Sequence, residues 1–365
     1  MRFALAGPEH EPQLRALLRE HAMPGWVELT LEREPDFFAA AATIGGVSQT
    51  IVALEGDTVV GMGCRSVREV YLNGRAASLG YLSGLRLQPA FRRGTALARG
   101  YRFLRHLHED GRTAAYVSTI IEDNRDAMAL LAGGRAGLPR YRDLGRYVTF
   151  AVALGAWRPG RRPRPDVIVS HAAPSDLDAV VAFLNEHGRR RQFFPVVRRS
   201  DFNSRVWQGL DPRNLLVARG DSGRIEGAAA CWDQSAYKQT RVIRYRPFLA
   251  AVRPLLNAVL HLAGFPRLPA EGAVLPALSL SLVCIRGDDP GTLAALLNAA
   301  HAEYRAGCRW LVIGLHERDP LCRAIRRWTS LRYASRLYAV YWEDGRPVID
   351  ALEPEPVPYL EVATL

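Results

Sequence analysis

The residues with the clearest chemistry stand at 92–96: Arg92, Arg93, Gly94, Thr95 and Ala96, at the start of a helical pattern. At a helix N-terminus the first backbone N–H groups have no intrahelical partner, and the helix dipole adds partial positive charge. Gly94 carries no side chain to block close approach, and two arginines supply mobile positive charge. Such a loop suits a phosphate or pyrophosphate. The competing reading is a basic loop at an ordinary helix start.

The flanking elements are what would position that loop. Residues 79–88 read as a strand, closed by a turn at Pro89. Gly80, Ser83 and Gly84 lie inside it, where glycine permits a bulge or close backbone approach, or relieves packing. Residues 95–109 read as a helix with Leu97, Tyr101, Leu104 and His108 along one side, ended by Gly111. Residues 113–121 form a buried-strand run. A second helix follows over 122–131, opened by Asp or Asn with acidic residues in its first turn.

Strand, phosphate loop, helix, strand and Asn-x-x-Ala helix in this order resemble the GCN5-related N-acetyltransferase (GNAT) superfamily. Pro89, Phe91, Arg92, Gly94 and Ala96 match its loop pattern in order, with Gly94 one residue early. Asn124 and Ala127 match its Asn-x-x-Ala. Leu131 stands where the family commonly has tyrosine, and residues 133–145 replace its usual Gly-Phe ending. The resemblance covers 59–147. It implies an α/β (α+β) fold with a mixed, mostly antiparallel sheet, a splayed central pair of parallel strands, and flanking helices. Acetyl-CoA or another acyl-CoA would wedge between the splayed strands as co-substrate, with no metal. The backbone of Leu85, Arg86 and Leu87 would meet the pantetheine arm. Arg92, Arg93, Gly94, Thr95 and Ala96 would hold the pyrophosphate. A backbone N–H near Gly84 or Leu85 would polarise the thioester carbonyl. Asn124 would bond the same arm, or cap its helix. Direct transfer needs a base and often an acid. Glu122 is the candidate base, or else an exposed helix cap; Tyr141 is the candidate replacement for the tyrosine absent at 131.

The layout repeats. Residues 157–165, WRPGRRPRP, read as a linker. Amphipathic helices over 12–21 and 175–187 occupy matching places, each followed by aromatic, irregular chain and a strand pair. Residues 277–285 take the place of the cofactor-binding strand, and RYASRLYAVYW closes the second unit as RYVTFAVAL closes the first. The expected organisation is an acyl-CoA-binding domain at 1–156, a linker at 157–166, a degenerate GNAT-like domain at 167–350 and a tail at 351–365. Asp288, Asp289 and Pro290 replace the basic loop in the second copy. Two carboxylates would repel a pyrophosphate, and Pro290 lacks an N–H.

The chain has 365 residues and a formal net charge of +11. Lys238 is its only lysine, and the arginines are dispersed without a recognised nucleic-acid motif, which argues against a nucleic-acid partner. No apolar run has membrane-spanning length and no signal-peptide pattern opens the chain, so a soluble cytoplasmic protein without a membrane partner is expected. The five cysteines are scattered without metal-ligand or redox spacing. Trp26, Glu28, Glu32, Glu34, Asp36 and Phe37 make the early irregular segment acidic and aromatic. With the strand over 65–71 it would shape the acceptor pocket and suit a cationic amine, small-molecule or peptide. The expected function is N-acyl transfer from CoA to an amine by direct attack. The alternatives are a tandem-fold aminoacyl or peptidyl transferase with a tRNA-borne donor, or a non-catalytic acyl-CoA-binding module.

Overall fold

The structure is a computed structural model and describes all residues except 24, 93, 135–136 and 156–161. Its first half runs β1 (Arg2–Leu5), α1 (Glu11–Glu20), β2 (Val27–Glu32), α2 (Phe37–Ala42), β3 (Val47–Glu55), β4 (Thr58–Leu72), β5 (Arg75–Leu87), α3 (Ala96–His108), β6 (Tyr116–Ile121), α4 (Arg125–Leu131) and β7 (Arg140–Ala153). The second half runs β8 (Val167–His171), α5 (Leu177–Gly188), β9 (Leu215–Gly220), β10 (Ile225–Trp232), β11 (Gln239–Tyr245), α6 (Pro247–Leu262), β12 (Ala277–Ile285), α7 (Pro290–Tyr304), β13 (Trp310–His316), α8 (Leu321–Ile325), β14 (Ser330–Tyr341) and α9 (Arg346–Asp350).

Both halves build one 12-stranded sheet, in the order β1-β3-β4-β5-β6-β14-β7-β13-β12-β10-β9-β8. Only β5–β6 and β12–β13 are parallel neighbours in it. The closing strands are exchanged. β14 pairs with β6 of the first half (Ser335↔Ile121), β7 pairs with β13 of the second (Trp310↔Ala153), and β7 and β14 pair with each other. This corrects the expectation that each closing strand completes its own unit. An alternating strand pattern fixes which face is buried, not which strand lies alongside.

Helices cover both faces. On one face of the first half, Leu14, Leu17 and Phe37 from α1 and α2 pack on Val52, Leu54 and Met62. On the other, Tyr101 and Leu104 of α3 meet Leu82, Tyr116 and Ile120. Fully burying one such side chain contributes ~1.5–3 kcal/mol. In the second half α5 takes the first face, and α7, apolar nearly all round, the other. A separate ribbon of β2 and β11 joins the halves, with Arg241 bonded to Glu32 across it.

Among the described residues no helix is long and apolar enough to cross a membrane, and no group of His, Cys, Asp and Glu side chains could hold a metal. Burial pushes the Cys231 and Cys284 thiols up to about 12, so both stay protonated and inert.

Candidate functional site

The sheet contains two forks. In the first, β5 and β6 pair only from Gly80↔Tyr116 to Leu82↔Ser118, then part. Gly80 is required there, because a Cβ would sit 2.0 Å from Tyr116 Cδ1. At the parting point Ser118 Oγ donates to the Leu82 carbonyl at 2.9 Å, and the Tyr81 hydroxyl bonds Thr119 Oγ1 at 3.1 Å.

Just beyond, β5 bulges. Cys64 faces Ser83 and Met62 faces Arg86, so Gly84 and Leu85 share one place opposite β4. Gly84 has φ +66, which glycine adopts without strain. A bulge leaves its extra residue outside the ladder. The Ser83 hydroxyl is buried there without a hydrogen-bond partner.

The second fork repeats this residue for residue. Ala230 faces Ser281 and Ala228 faces Cys284, so Leu282 and Val283 make the bulge. Leu282 has φ 53, and the Ser281 hydroxyl is again buried and unpartnered. One feature differs. The Leu282 N–H donates to Glu361 Oε2 at 2.9 Å. Glu361 also accepts from Tyr359 Oη at 2.8 Å and from the Ala363 N–H at 3.2 Å.

The helix starts differ in the same sense. Before α3, Gly94 has φ +95, and among the described residues no atom beyond its chain neighbours lies within 4 Å of where its Cβ would be. No described side chain caps α3. Arg92 Nε donates to the Leu87 carbonyl at 3.1 Å, which ties the loop to the end of β5. Arg93 lies outside the described residues. At α7, Asp289 accepts from the Thr292 N–H at 2.7 Å. Burial pushes the Asp289 carboxyl up, but the Thr292 and Gly291 donors outweigh it and hold it below the usual range. Asp288 pairs with Arg191, which also reaches Asp319 at 3.1 Å.

The candidate acid and base take structural roles. Glu122 is held in a bidentate pair by Arg146, at 2.7 and 2.8 Å. Both of its oxygens are engaged by that guanidinium. The Tyr141 hydroxyl bonds that of Tyr101 at 2.7 Å, and burial pushes its pKa well above the usual value. Asn124 Oδ1 accepts from the Ala127 N–H at 3.1 Å, the helix-cap role. Leu85 is 43% exposed. Arg86 and Leu87 continue β5 beyond the bulge.

The acidic acceptor segment is also committed elsewhere. Glu32 pairs with Arg241, Glu28 with Arg244, and Glu34 with Arg15 and Arg19, while Asp36 caps α2. These carboxylates do not form the open anionic pocket expected for a cationic amine. The residues that do approach the first fork on the α1–α2 face escaped the sequence reading. Arg33 Nη1 reaches Cys64 Sγ at 3.8 Å, and the Arg33 guanidinium lies over the Phe37 ring. Tyr81, Arg68 and Lys238 lie in the same electrostatic neighbourhood. The one usable signal was Lys238, the single lysine of an arginine-rich chain.

No family model and no curated protein sequence matches this chain. Solved structures do. A tandem GNAT protein from the clavulanic acid biosynthesis pathway superposes with a TM-score of 0.55 at 12% identity, over 93% of this chain and 97% of that one. A GCN5-related N-acetyltransferase from Sphaerobacter thermophilus gives 0.50 at 15% identity, over 80% and 79%. A GCN5-related N-acetyltransferase from Anabaena variabilis gives 0.51 at 10%, over 93% and 72%. The chain has the tandem GNAT fold.

Proposed function

We propose that the first half is an acyl-CoA-dependent N-acyltransferase and that the second half serves as scaffold. One observation carries this reading. The chain's own carboxylates cap the second fork and the second helix start, through Glu361 and Asp289, and cap neither counterpart in the first half.

The residues present fit an acyl-CoA. The start of α3 offers helix N–H groups that no described side chain caps, and open space at Gly94, for a pyrophosphate. The β5 edge beyond the fork, Leu85 to Leu87, offers backbone to a pantetheine arm. When bound, the thioester supplies an acyl group activated toward an amine. The Gly84–Leu85 bulge would offer a backbone N–H to the carbonyl oxygen, as the Leu282 N–H meets a carboxylate oxygen in the second fork. Tyr81 replaces Tyr141 as the candidate donor to the leaving sulfur. Burial pushes its pKa up to about 12, against the Thr119 bond and the Arg68 charge, so Oη keeps its proton through the neutral range. It stands at the fork, where it would stabilise a leaving thiolate by donating a hydrogen bond and not the proton itself.

The test is release of CoA thiol from acetyl-CoA over a panel of amines. Amine-dependent release, lost in Gly84→Val, is the expected result. Acetyl-CoA binding without release for any amine would leave an acyl-CoA-binding module instead.

A further inference from the structure

Arg33, Arg68, Arg86 and Lys238 are only half-exposed at most, yet among the described residues no Asp or Glu side chain forms an ion pair with any of them. Several other sequestered arginines of this chain have acidic partners. Buried Arg65 has Asp110 in a bidentate contact at 2.8 Å, and Arg241 has Glu32. Charge removed from water without a counterion is costly, so an unpaired cluster points to a partner that arrives from outside.

The four cations come from different elements and lie within electrostatic reach of one another around the first fork. Arg68 stands on β4 and Arg86 on β5, Arg33 follows β2, and Lys238 precedes β11. Arg33 touches Cys64, whose Sγ lies 3.3 Å from where a Cβ on Gly84 would be, which brings its guanidinium beside the bulge. The charge of Arg33 acts on Lys238, Arg86 and Tyr81, and that of Arg68 also acts on Tyr81. Among the described residues Arg86 donates to the neighbouring Leu85 carbonyl, and Lys238 Nζ to the main-chain oxygens of Ala363 and Leu365. Glu361 is the acidic side chain acting on Arg68 and Lys238. Its oxygens are already engaged by Leu282, Tyr359 and Ala363, so it does not close onto the guanidiniums.

We propose that this cluster binds an acidic group of the acceptor: the amine acylated at the first fork carries a carboxylate a few bonds from its nitrogen, as an amino acid does. A guanidinium matches a carboxylate through two parallel N–H donors, and two arginines on different elements fix its direction. Tyr81, on which the charges of both Arg68 and Arg33 act, would then lie toward the end of the molecule where the amine meets the thioester. This inference rests on the acyltransferase reading for the reaction, though not for the binding.

The experiment uses the full chain with acetyl-CoA and matched amines: phenylalanine, its methyl ester and phenethylamine. CoA thiol release is expected with phenylalanine at a kcat/KM about tenfold or more above either amine that lacks the carboxylate. Arg33→Met and Arg68→Met should raise KM for phenylalanine while leaving acetyl-CoA affinity by calorimetry unchanged. Arg68→Lys should recover part of the loss. Preference for phenethylamine, or an unchanged KM in both arginine variants, would overturn the proposal while the acyltransferase reading stands. If no amine is acylated that reading fails, and calorimetry with N-acetylphenylalanine against N-acetylphenethylamine decides the acidic-group site alone. Selective binding of the carboxylate, lost in Arg68→Met, supports it; equal or absent binding overturns it. Circular dichroism establishes that each variant is folded.

Discussion

The backbone N–H of Leu282 donates to the carboxylate of Glu361, 2.9 Å away, at the position that Gly84 holds in the first half. The two bulges share a left-handed backbone, φ 53 at Leu282 and φ +66 at Gly84. They differ in what meets them. Residues 357–365 bring Glu361 to the second fork, held by bonds from the Gln192 N–H to the Val357 carbonyl and from the Tyr359 N–H to the Gln192 carbonyl. Leu282, almost fully buried, joins the core there. A fork filled by its own chain accommodates leucine; one meant for a ligand is served better by glycine.

Glu361→Ala removes the acceptor of several buried donors at once. Leaving one buried donor unsatisfied costs ~1–3 kcal/mol, so unfolding free energy should fall by at least that. Glu361→Gln keeps an acceptor and should lose less. Urea denaturation measures both, and an unchanged midpoint in Glu361→Ala would show that the carboxylate does not hold the second fork closed.

Glu122→Gln should leave kcat and its pH profile in place, because Arg146 already occupies the carboxylate. The pair is partly exposed, so stability should change by no more than ~1 kcal/mol. Tyr81→Phe should instead lower kcat by ~10²-fold with acetyl-CoA affinity intact, within the usual range for loss of a hydrogen-bond donor to developing charge. Steady-state rates across pH for the two variants check this; the reverse pattern would restore Glu122 as the base.

Lys238 gives the protein a pH dependence with a definite sign. Burial, and secondarily Arg33, push its pKa down to about 7 against the pull of Glu361. The unfolded chain therefore binds the proton between about pH 7 and the ordinary lysine value of 10.5, while the folded chain has released it. Stability from this group rises with pH through that window, and the penalty is fully present below it. The stability difference between wild type and Lys238→Met, measured by denaturation from pH 6 to 10, should shift in favour of wild type as pH rises. A difference independent of pH would mean that Lys238 titrates normally.

Local signals made β5, the loop after it and α3 readable, because helical periodicity, Pro89 and Gly94 act within a few residues. Gly84 was readable as a bulge site for the same reason. The ribbon was not. Glu28 and Glu32 looked like an open acidic surface, but their partners Arg244 and Arg241 lie more than 200 positions away. α6 was missed because Pro254 inside it reads as a breaker. The exchange of β7 and β14 left no local trace, since both alternate alike and only pairing distinguishes them.

The asymmetry of the forks is tested most directly by calorimetric titration of the full chain with acetyl-CoA. The expected result is one molecule bound per chain, with binding abolished in Gly94→Glu, whose carboxylate would enter the open space before α3. Asp289→Ala should leave that affinity unchanged and lower stability by ~0.5–2 kcal/mol through its lost cap. Two molecules per chain, or undiminished binding in Gly94→Glu, would contradict the assignment of acyl-CoA to the first half.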